Sequence, residues 1–218
     1  MFEVTRLIRF ADGADDTARH AVLDGVRAAV APTAVAALAE PVLPGGIGGT
    51  DAVARIRFAD ETGWQAIEAG VSDALGSAAV AHVDGVVHTG RVCPSRGGTP
   101  TIFRTLLVAV DPAADPELVR RFESETAAMP HYIPSIGPAQ CAPAGDPVGD
   151  ARWTHVWEQE YATLDGLTGP YMTHPYHWAH VDRWFDPERG QRIVTALRHS
   201  FVTVGASLLT AGCPTISA

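Results

Sequence analysis

The chain has 218 residues, of which 46% are hydrophobic and 19% charged, a composition typical of proteins that bury a core in one large or two small domains. Only 16 residues are Lys or Arg, and the formal net charge is −9 at pH 7. Since nucleic acids and anionic membrane surfaces bind clustered positive charge, we expect neither as a partner.

Cysteine usage and hydropathy predict a reduced, cytoplasmic protein. Cys93, Cys141 and Cys213 are odd in number, far apart and without CxxC spacing, which argues against a disulfide framework and against a thiolate zinc site. The first residues alternate like a strand rather than resembling a signal peptide. No stretch reaches the roughly 20 apolar residues that a membrane span needs.

The first half of the chain predicts the element order β-α-β-β-α-β. Alternation and helical spacing of apolar residues define the elements, and Gly- and Pro-rich stretches separate them. The predicted elements are a strand from Phe2 to Phe10, a helix capped by Asp15 or Asp16, strands from Val35 to Leu43 and from Ala52 to Phe58, a helix from Glu61 to Leu75, and a strand from Ser77 to Val92 that kinks near Asp84-Gly85.

The same order returns after a linker composed of Pro94 to Pro100. The predicted elements are a strand from Ile102 to Val110, a helix opened by Asp115-Pro116-Glu117, a strand from Ile136 to Cys141, a loop from Ala142 to Asp150, a strand from Trp153 to Tyr161, a helical region, and a last strand from Phe201 to Leu209. Corresponding strand ends lie about one hundred residues apart, which indicates a duplication.

Each β-α-β-β-α-β unit predicts a four-stranded antiparallel sheet with two helices on one face. The other face needs cover, which the second copy supplies. We therefore predict an α+β fold made of tandem ferredoxin-like repeats that form an intramolecular dimeric α/β barrel. Residues 1–93 are the structural, degenerate repeat, and residues 101–210 carry the site. A further homodimer of the whole chain stays open.

Reactive residue types concentrate in the second half. It holds all four tyrosines, four of the five tryptophans and six of the nine histidines. Strand alternation puts Trp153, His155 and Trp157 on one face, which favours a partly desolvated, neutral imidazole that can act as a general base. Glu158 and Glu160 are expected to lie away from the face of His155, in solvent or against a helix.

A second cluster follows in the helical region. Tyr171, His174 and His177 are three residues apart and are expected to share a helix face, with Pro175 starting a new helix there. Trp178 adds bulk to the same region. His174 is expected to bond mainly to backbone.

Three anchors in this half resemble the stress-responsive α/β-barrel (Dabb) family, and in particular its olivetolic acid cyclase branch, from about Phe103 to Val204. The anchors are Ile133-Pro134-Ser135-Ile136, Trp153-Thr154-His155-Val156 and the Tyr171-x-x-His174-Pro175-x-His177 pattern. The resemblance implies that His177 abstracts a proton, Tyr171 orients or protonates a substrate carbonyl and His155 assists. The cyclases carry a further histidine on the first strand, where this chain has Arg104 or Thr105.

The implied function is a cofactor-independent cyclase or lyase acting on a small carbonyl or polyketide-like compound. Its pocket would be lined by His174, Trp153, Trp157, Trp178 and Arg104. One alternative is a non-catalytic stress-response protein that binds a small molecule, and another is a haem- or oxygen-using barrel enzyme. A metal held by His174, His177 and either His155 or His180 is disfavoured because Pro175 distorts the spacing, so we expect neither metal nor cofactor.

Overall fold

The structure, a computed structural model, describes residues 1–93, 98–189 and 191–212. Its elements in the first half are β1 (Phe2–Phe10), α1 (Asp16–Val30), β2 (Ala36–Pro41), β3 (Ala52–Phe58), α2 (Glu61–Gln65), α3 (Glu68–Leu75) and β4 (Val80–His88). Those in the second half are β5 (Ile102–Val110), α4 (Pro116–Tyr132), β6 (Ile136–Val148), β7 (His155–Tyr161), α5 (Leu164–Gly166), short π- and 3₁₀-helical turns, and β8 (Val194–Thr203). The predicted α+β class is confirmed.

All eight strands form one antiparallel sheet in the order β2-β3-β1-β4-β6-β7-β5-β8. Each half contributes a four-stranded sheet of ferredoxin-like order, and β4 pairs with β6 to join them. At the opposite side the loop after β2 reaches β8, where Leu43 N donates to Phe201 O at 2.9 Å and Ile47 exchanges two backbone bonds with His199. The sheet thereby curls into the barrel expected of fused repeats.

Helices cover the outside of the barrel. Helices α1 and α3 pack on the first half, where Val22, Leu23 and Val26 are buried against β1 and β3. Helix α4 packs on the second half through Phe122 and Met129. No helix in the described parts of the chain has the length and apolarity to cross a membrane.

Three predicted elements differ from the structure. The helix predicted from Glu61 to Leu75 is two helices that meet near Ile67. Much of the loop predicted from Ala142 to Asp150 is strand, because β6 runs on to pair with β4. The last strand is Val194–Thr203, since all of it pairs with β5. Residues 94–97 of the predicted linker, and Cys213, lie outside the described residues.

Charged side chains fill one level of the barrel interior. Arg55 Nη2 lies 2.6 Å from Glu3 Oε1 and 3.1 Å from Glu158 Oε2, and all three side chains are buried. Gln140 donates to both carboxylates at 2.8 and 2.7 Å, and His88 Nδ1 lies 3.2 Å from Glu3. Because Glu3 and Arg55 come from the first half and Glu158 from the second, this cluster ties the halves together.

The prediction that Glu158 and Glu160 lie in solvent or against a helix is wrong. Strand β7 turns both carboxylates into the barrel, where each is fully buried. Glu160 accepts hydrogen bonds from the backbone N–H groups of Leu208 (2.6 Å) and Leu209 (3.1 Å). The segment after β8 thus covers one end of the barrel instead of extending the sheet.

Candidate functional site

Tyr171 and His177 meet between the sheet of the second half and a broken helical segment. Each belongs to a π-helical turn, Leu167–Tyr171 and His177–Val181. Regular helix stops at His174 and resumes at Pro175, as predicted, because proline suits the first turn of a helix. The ring centroids of Tyr171 and His177 are 4.4 Å apart in an edge-to-face arrangement. Inserted π turns of this kind are frequent at functional sites.

Both side chains are buried, and key atoms lack partners. Tyr171 is 0% exposed and His177 7%. Within the described residues, His177 Nδ1 has no hydrogen-bond partner, although Asp182 Oδ1 lies 3.5 Å from it. Tyr171 Oη has no partner there besides a contact with the Arg104 guanidinium. Buried polar atoms without partners are costly unless something else, such as a ligand, satisfies them.

Arg104 of β5 lies beside these two residues. Its guanidinium stacks 4.5 Å from the Trp157 ring centroid and 5.1 Å from that of Tyr171. Its Nε donates to His199 Nε2 at 2.9 Å, and its Nη1 donates to the Gln159 Oε1. Arg104 is therefore a buried cation surrounded, among the described residues, by neutral groups.

The surroundings shift the pKa values of two histidines and of Tyr171 so that each side chain is neutral over a wider pH range. Burial, together with the positive charge of Arg104, lowers the pKa of His177 to about 4 and that of His199 to about 3. Burial raises the pKa of Tyr171 to about 12, although Arg104 opposes the increase. At neutral pH the site thus holds two neutral imidazoles, a protonated phenol and a guanidinium.

The other predicted site residues are only partly brought together. Trp157 is buried under Arg104, inside the site. His155 is also buried, but it contacts α4 and its own neighbour: Nε2 lies 3.0 Å from Glu123 Oε1 and Nδ1 lies 2.8 Å from Thr154 Oγ1.

The prediction that Trp153 shares the face of His155 is wrong. Trp153 precedes β7, packs in the barrel interior and donates to Asp84 at 3.1 Å. His174 is half-buried and accepts from the backbone N–H of Tyr176 at 3.2 Å, and Trp178 is 47% exposed. Burial thus separates Tyr171 and His177, which point inward, from His174 and Trp178.

Three further residues of the site were missed from the sequence. Gln159 and Tyr161 follow Trp157 at intervals of two on β7, so strand alternation could have found them. Tyr161 donates to Gln159 Oε1 at 2.8 Å, and its ring contacts Tyr171. His199 could not be found in this way because the last strand was predicted to begin after it.

A cavity of about 200 Å³ adjoins this site. It is lined by the strand end at Tyr161, by Thr163 and Gly166 after it, and by the turn at Pro134 and Ser135. Since the Tyr161 ring contacts Tyr171 at 5.7 Å between centroids, the cavity is one ring away from the site. Its volume suits a small molecule.

The histidines that were weighed and disfavoured as metal ligands form no close ligand group among the described residues. In the described parts of the chain, close groups of potential ligands are Glu3, His88 and Glu158, and His82, Asp84 and Asp150. Arginines already contact the carboxylates of both groups. The site around His177 therefore has no metal-ligand geometry among the described residues.

The lowered histidine pKa values predict acid-sensitive stability. Below about pH 6.5, His177 and His199 bind protons in the unfolded chain but stay neutral in the folded protein. Each histidine is therefore expected to reduce the free energy of unfolding by up to about 1.4 kcal/mol per pH unit between pH 6 and 5. Buried His88, whose pKa is also lowered, adds to the effect. Urea unfolding at pH 7 and 5 measures it, and His177→Gln should show a smaller decrease. Equal stabilities at the two pH values would contradict the assignment.

Comparisons with known proteins agree with this architecture. Residues 102–196 match the family model of the Stress responsive A/B Barrel Domain, Dabb. No curated protein matches the chain.

Several solved structures share the fold along nearly the whole chain. An anthrone oxidase-like protein has a TM-score of 0.60 at 10% identity, with 96% of each chain covered. A candidate monooxygenase from Lactobacillus acidophilus NCFM has a TM-score of 0.53 at 10% identity, covering 93% of this chain and 92% of that one. A chlorite dismutase variant from Candidatus Nitrospira defluvii has a TM-score of 0.50 at 12% identity, covering 96% and 92%. At these identities the likeness concerns the fold alone.

Proposed function

Residues 102–196 match the stress responsive A/B barrel domain, and from this premise we propose that the chain is an enzyme. It would catalyse proton transfer at the carbon α to a carbonyl group, without a cofactor. The reaction is an aldol-type cyclisation or the reverse lyase reaction of a small carbonyl or polyketide-like compound. One observation carries the proposal: the neutral imidazole of His177 lies edge-to-face on a buried Tyr171 whose hydroxyl lies beside the Arg104 guanidinium.

His177 is the proposed general base. Asp182 Oδ1, at 3.5 Å from Nδ1, favours a proton on that nitrogen and leaves Nε2 as the basic atom. A base with a pKa of about 4 is weak. Because proton transfer is efficient when the two pKa values approach each other, an activated carbon acid such as a β-dicarbonyl compound suits it better than a simple ketone.

Tyr171 is the proposed oxyanion donor. A phenol with a pKa of about 12 stays protonated at any physiological pH, so its hydroxyl can donate to the oxygen of a forming enolate. Arg104, stacked beside it, supplies positive charge in a buried environment where charge interactions are strong. The nearness of the His177 imidazole and the Arg104 guanidinium to this hydroxyl supports a role in stabilising an enolate.

His155 acts in this proposal as a positioning residue. Its contacts with Glu123 and Thr154 join β7 to α4, so it supports the wall of the site and does not touch the substrate. This replaces the assisting role that the resemblance implied.

A second candidate is an oxygen-consuming reaction on the same carbanion. The names of the fold neighbours, an anthrone oxidase-like protein and a candidate monooxygenase, favour it. Haem does not fit, because the Tyr171 ring packs directly against His177 and the adjoining cavity of about 200 Å³ is too small for a porphyrin. Oxygen uptake with substrate would identify this alternative.

Deuterium exchange tests the proposal. Ethyl 2-methylacetoacetate, a β-dicarbonyl compound with a single proton between its two carbonyl groups, is incubated with the protein in D₂O, and the loss of that proton signal is followed by proton NMR. We expect exchange well above the buffer rate. Binding of the ester without faster exchange would instead favour a non-catalytic small-molecule-binding protein.

The pH dependence of that exchange follows from the two pKa values. His177 is a competent base above about pH 4 and Tyr171 a competent donor below about pH 12, so the enzymatic rate should be constant from pH 5.5 to 9. Initial rates at constant ionic strength, corrected for buffer catalysis, measure this. A tenfold rise centred on pH 6.5 would show that the base is a histidine with an ordinary pKa and would contradict the assignment.

A further inference from the structure

We infer that Arg104 is a carboxylate-binding residue and that the substrate is therefore an anion carrying a carboxylate besides its reacting carbonyl. This inference rests on the proposed function and names its substrate class. It goes beyond enolate stabilisation, because it concerns the ground state of the bound substrate.

The charge of Arg104 is buried without a counter-ion in the described structure. Arg104 is 5% exposed, and in the described parts of the chain no carboxylate lies within ion-pair distance of it. Its partners are the imidazole of His199, the amide of Gln159, the hydroxyl of Tyr171 and two aromatic faces, all of them neutral. A buried charge without a counter-ion is strongly unfavourable. An anionic ligand would supply the missing charge.

Some N–H donors of the Arg104 guanidinium also remain without an acceptor in the described structure. A guanidinium has five N–H donors, and the contacts of Arg104 with His199, Gln159 and the Tyr171 hydroxyl use three. The remaining two are enough for a bidentate contact with a carboxylate. Gln159 Nε2 is buried and also has no partner among the described residues, so it offers a further donor next to the guanidinium.

Arg104 differs in its charged partners from Arg198, another stacked arginine in the same half. Arg198 also stacks over a tryptophan, with its guanidinium 5.8 Å from the Trp153 ring centroid. It pairs with Asp84 at 3.0 Å and with Asp150 at 3.1 Å. The chain thus provides carboxylates for one stacked arginine and none, in the described structure, for the other.

Benzoate and benzamide test the inference, because they have nearly the same shape and differ in charge. Isothermal titration at fixed ionic strength should show benzoate binding to the wild-type protein at least about tenfold more tightly than benzamide. Arg104→Gln should abolish this preference, whereas Arg198→Gln should keep it. Without ligand, Arg104→Gln should unfold at the same temperature as wild type or higher, since it removes an uncompensated buried charge.

Equal binding of the two probes, no binding of benzoate, or full benzoate affinity in Arg104→Gln would overturn the inference. Each result is separable from the proposed function. Exchange of the neutral ester by wild-type protein would stand if benzoate failed to bind, and benzoate binding would stand if no exchange occurred.

Discussion

Replacing Arg55 by methionine is expected to lower the free energy of unfolding by about 3–5 kcal/mol, the cost of breaking a buried ion pair by removing one partner. The guanidinium contacts Glu3 and Glu158 inside the barrel, and its removal leaves two fully buried carboxylates with weaker compensation. Although burial raises it, the Arg55 guanidinium keeps the pKa of Glu158 below its ordinary value, so this carboxylate is charged at neutral pH. Urea-induced unfolding at pH 7 measures the change.

Arg120→Met is the matched control. Arg120 also pairs with a glutamate, Glu117, but both side chains are well exposed, at 64% and 74%. Exposed pairs contribute little, so this variant should lose less than about 1 kcal/mol. If Arg55→Met lost as little as the control, the interior cluster would not hold the two halves together.

Replacing His177 by glutamine is expected to reduce the rate of α-proton exchange by about 100- to 10,000-fold, the usual contribution of a general base. Glutamine keeps much of the volume and polarity of the imidazole but cannot accept a proton. The loss should appear in the rate at saturating substrate, since the proposed role is in the transition state. Proton NMR in D₂O with ethyl 2-methylacetoacetate measures it.

His174→Gln is the control for this variant. It changes a histidine of the same segment that is half-buried and bonded to backbone, so exchange should stay within a few-fold of wild type. A His177→Gln enzyme with wild-type turnover would exclude this histidine as the base.

Tyr171→Phe should lower the rate of exchange by about 100- to 1,000-fold, because it removes one oxyanion donor.

The sequence predicted most of the fold because most elements have a strong local signal. The bounds of β1, β3 and β5 are those predicted, since alternating β-formers end at Asp- and Gly-rich turns. The β6 extension and the position of β8 could not be predicted in this way. Their length is set by pairing with β4 and β5, which are distant in the chain, and not by local propensity.

The parts of the candidate site that are close together in sequence could be predicted, and the parts that meet only in the folded chain could not. Tyr171 and His177 lie close together in sequence, so their spacing carried the signal. His199 joins them only through the register of β8 against β5. The neutral surroundings of Arg104 come from residues distant in the chain, such as His199, and could not be predicted from its own position. The role of Glu158 was missed because alternation alone cannot tell which face of a sheet a second sheet will cover.

A crystal structure of the protein with a bound, unreactive β-dicarbonyl carboxylate would locate the substrate relative to Arg104, Tyr171 and His177. We predict the carboxylate on Arg104, a carbonyl oxygen within hydrogen-bond distance of Tyr171 Oη, and the α-carbon facing His177 Nε2. Ligand found only elsewhere, for example in the surface cavity near Phe10 and Asp51 of the first half, with the Tyr171–His177 contact unchanged, would contradict the account.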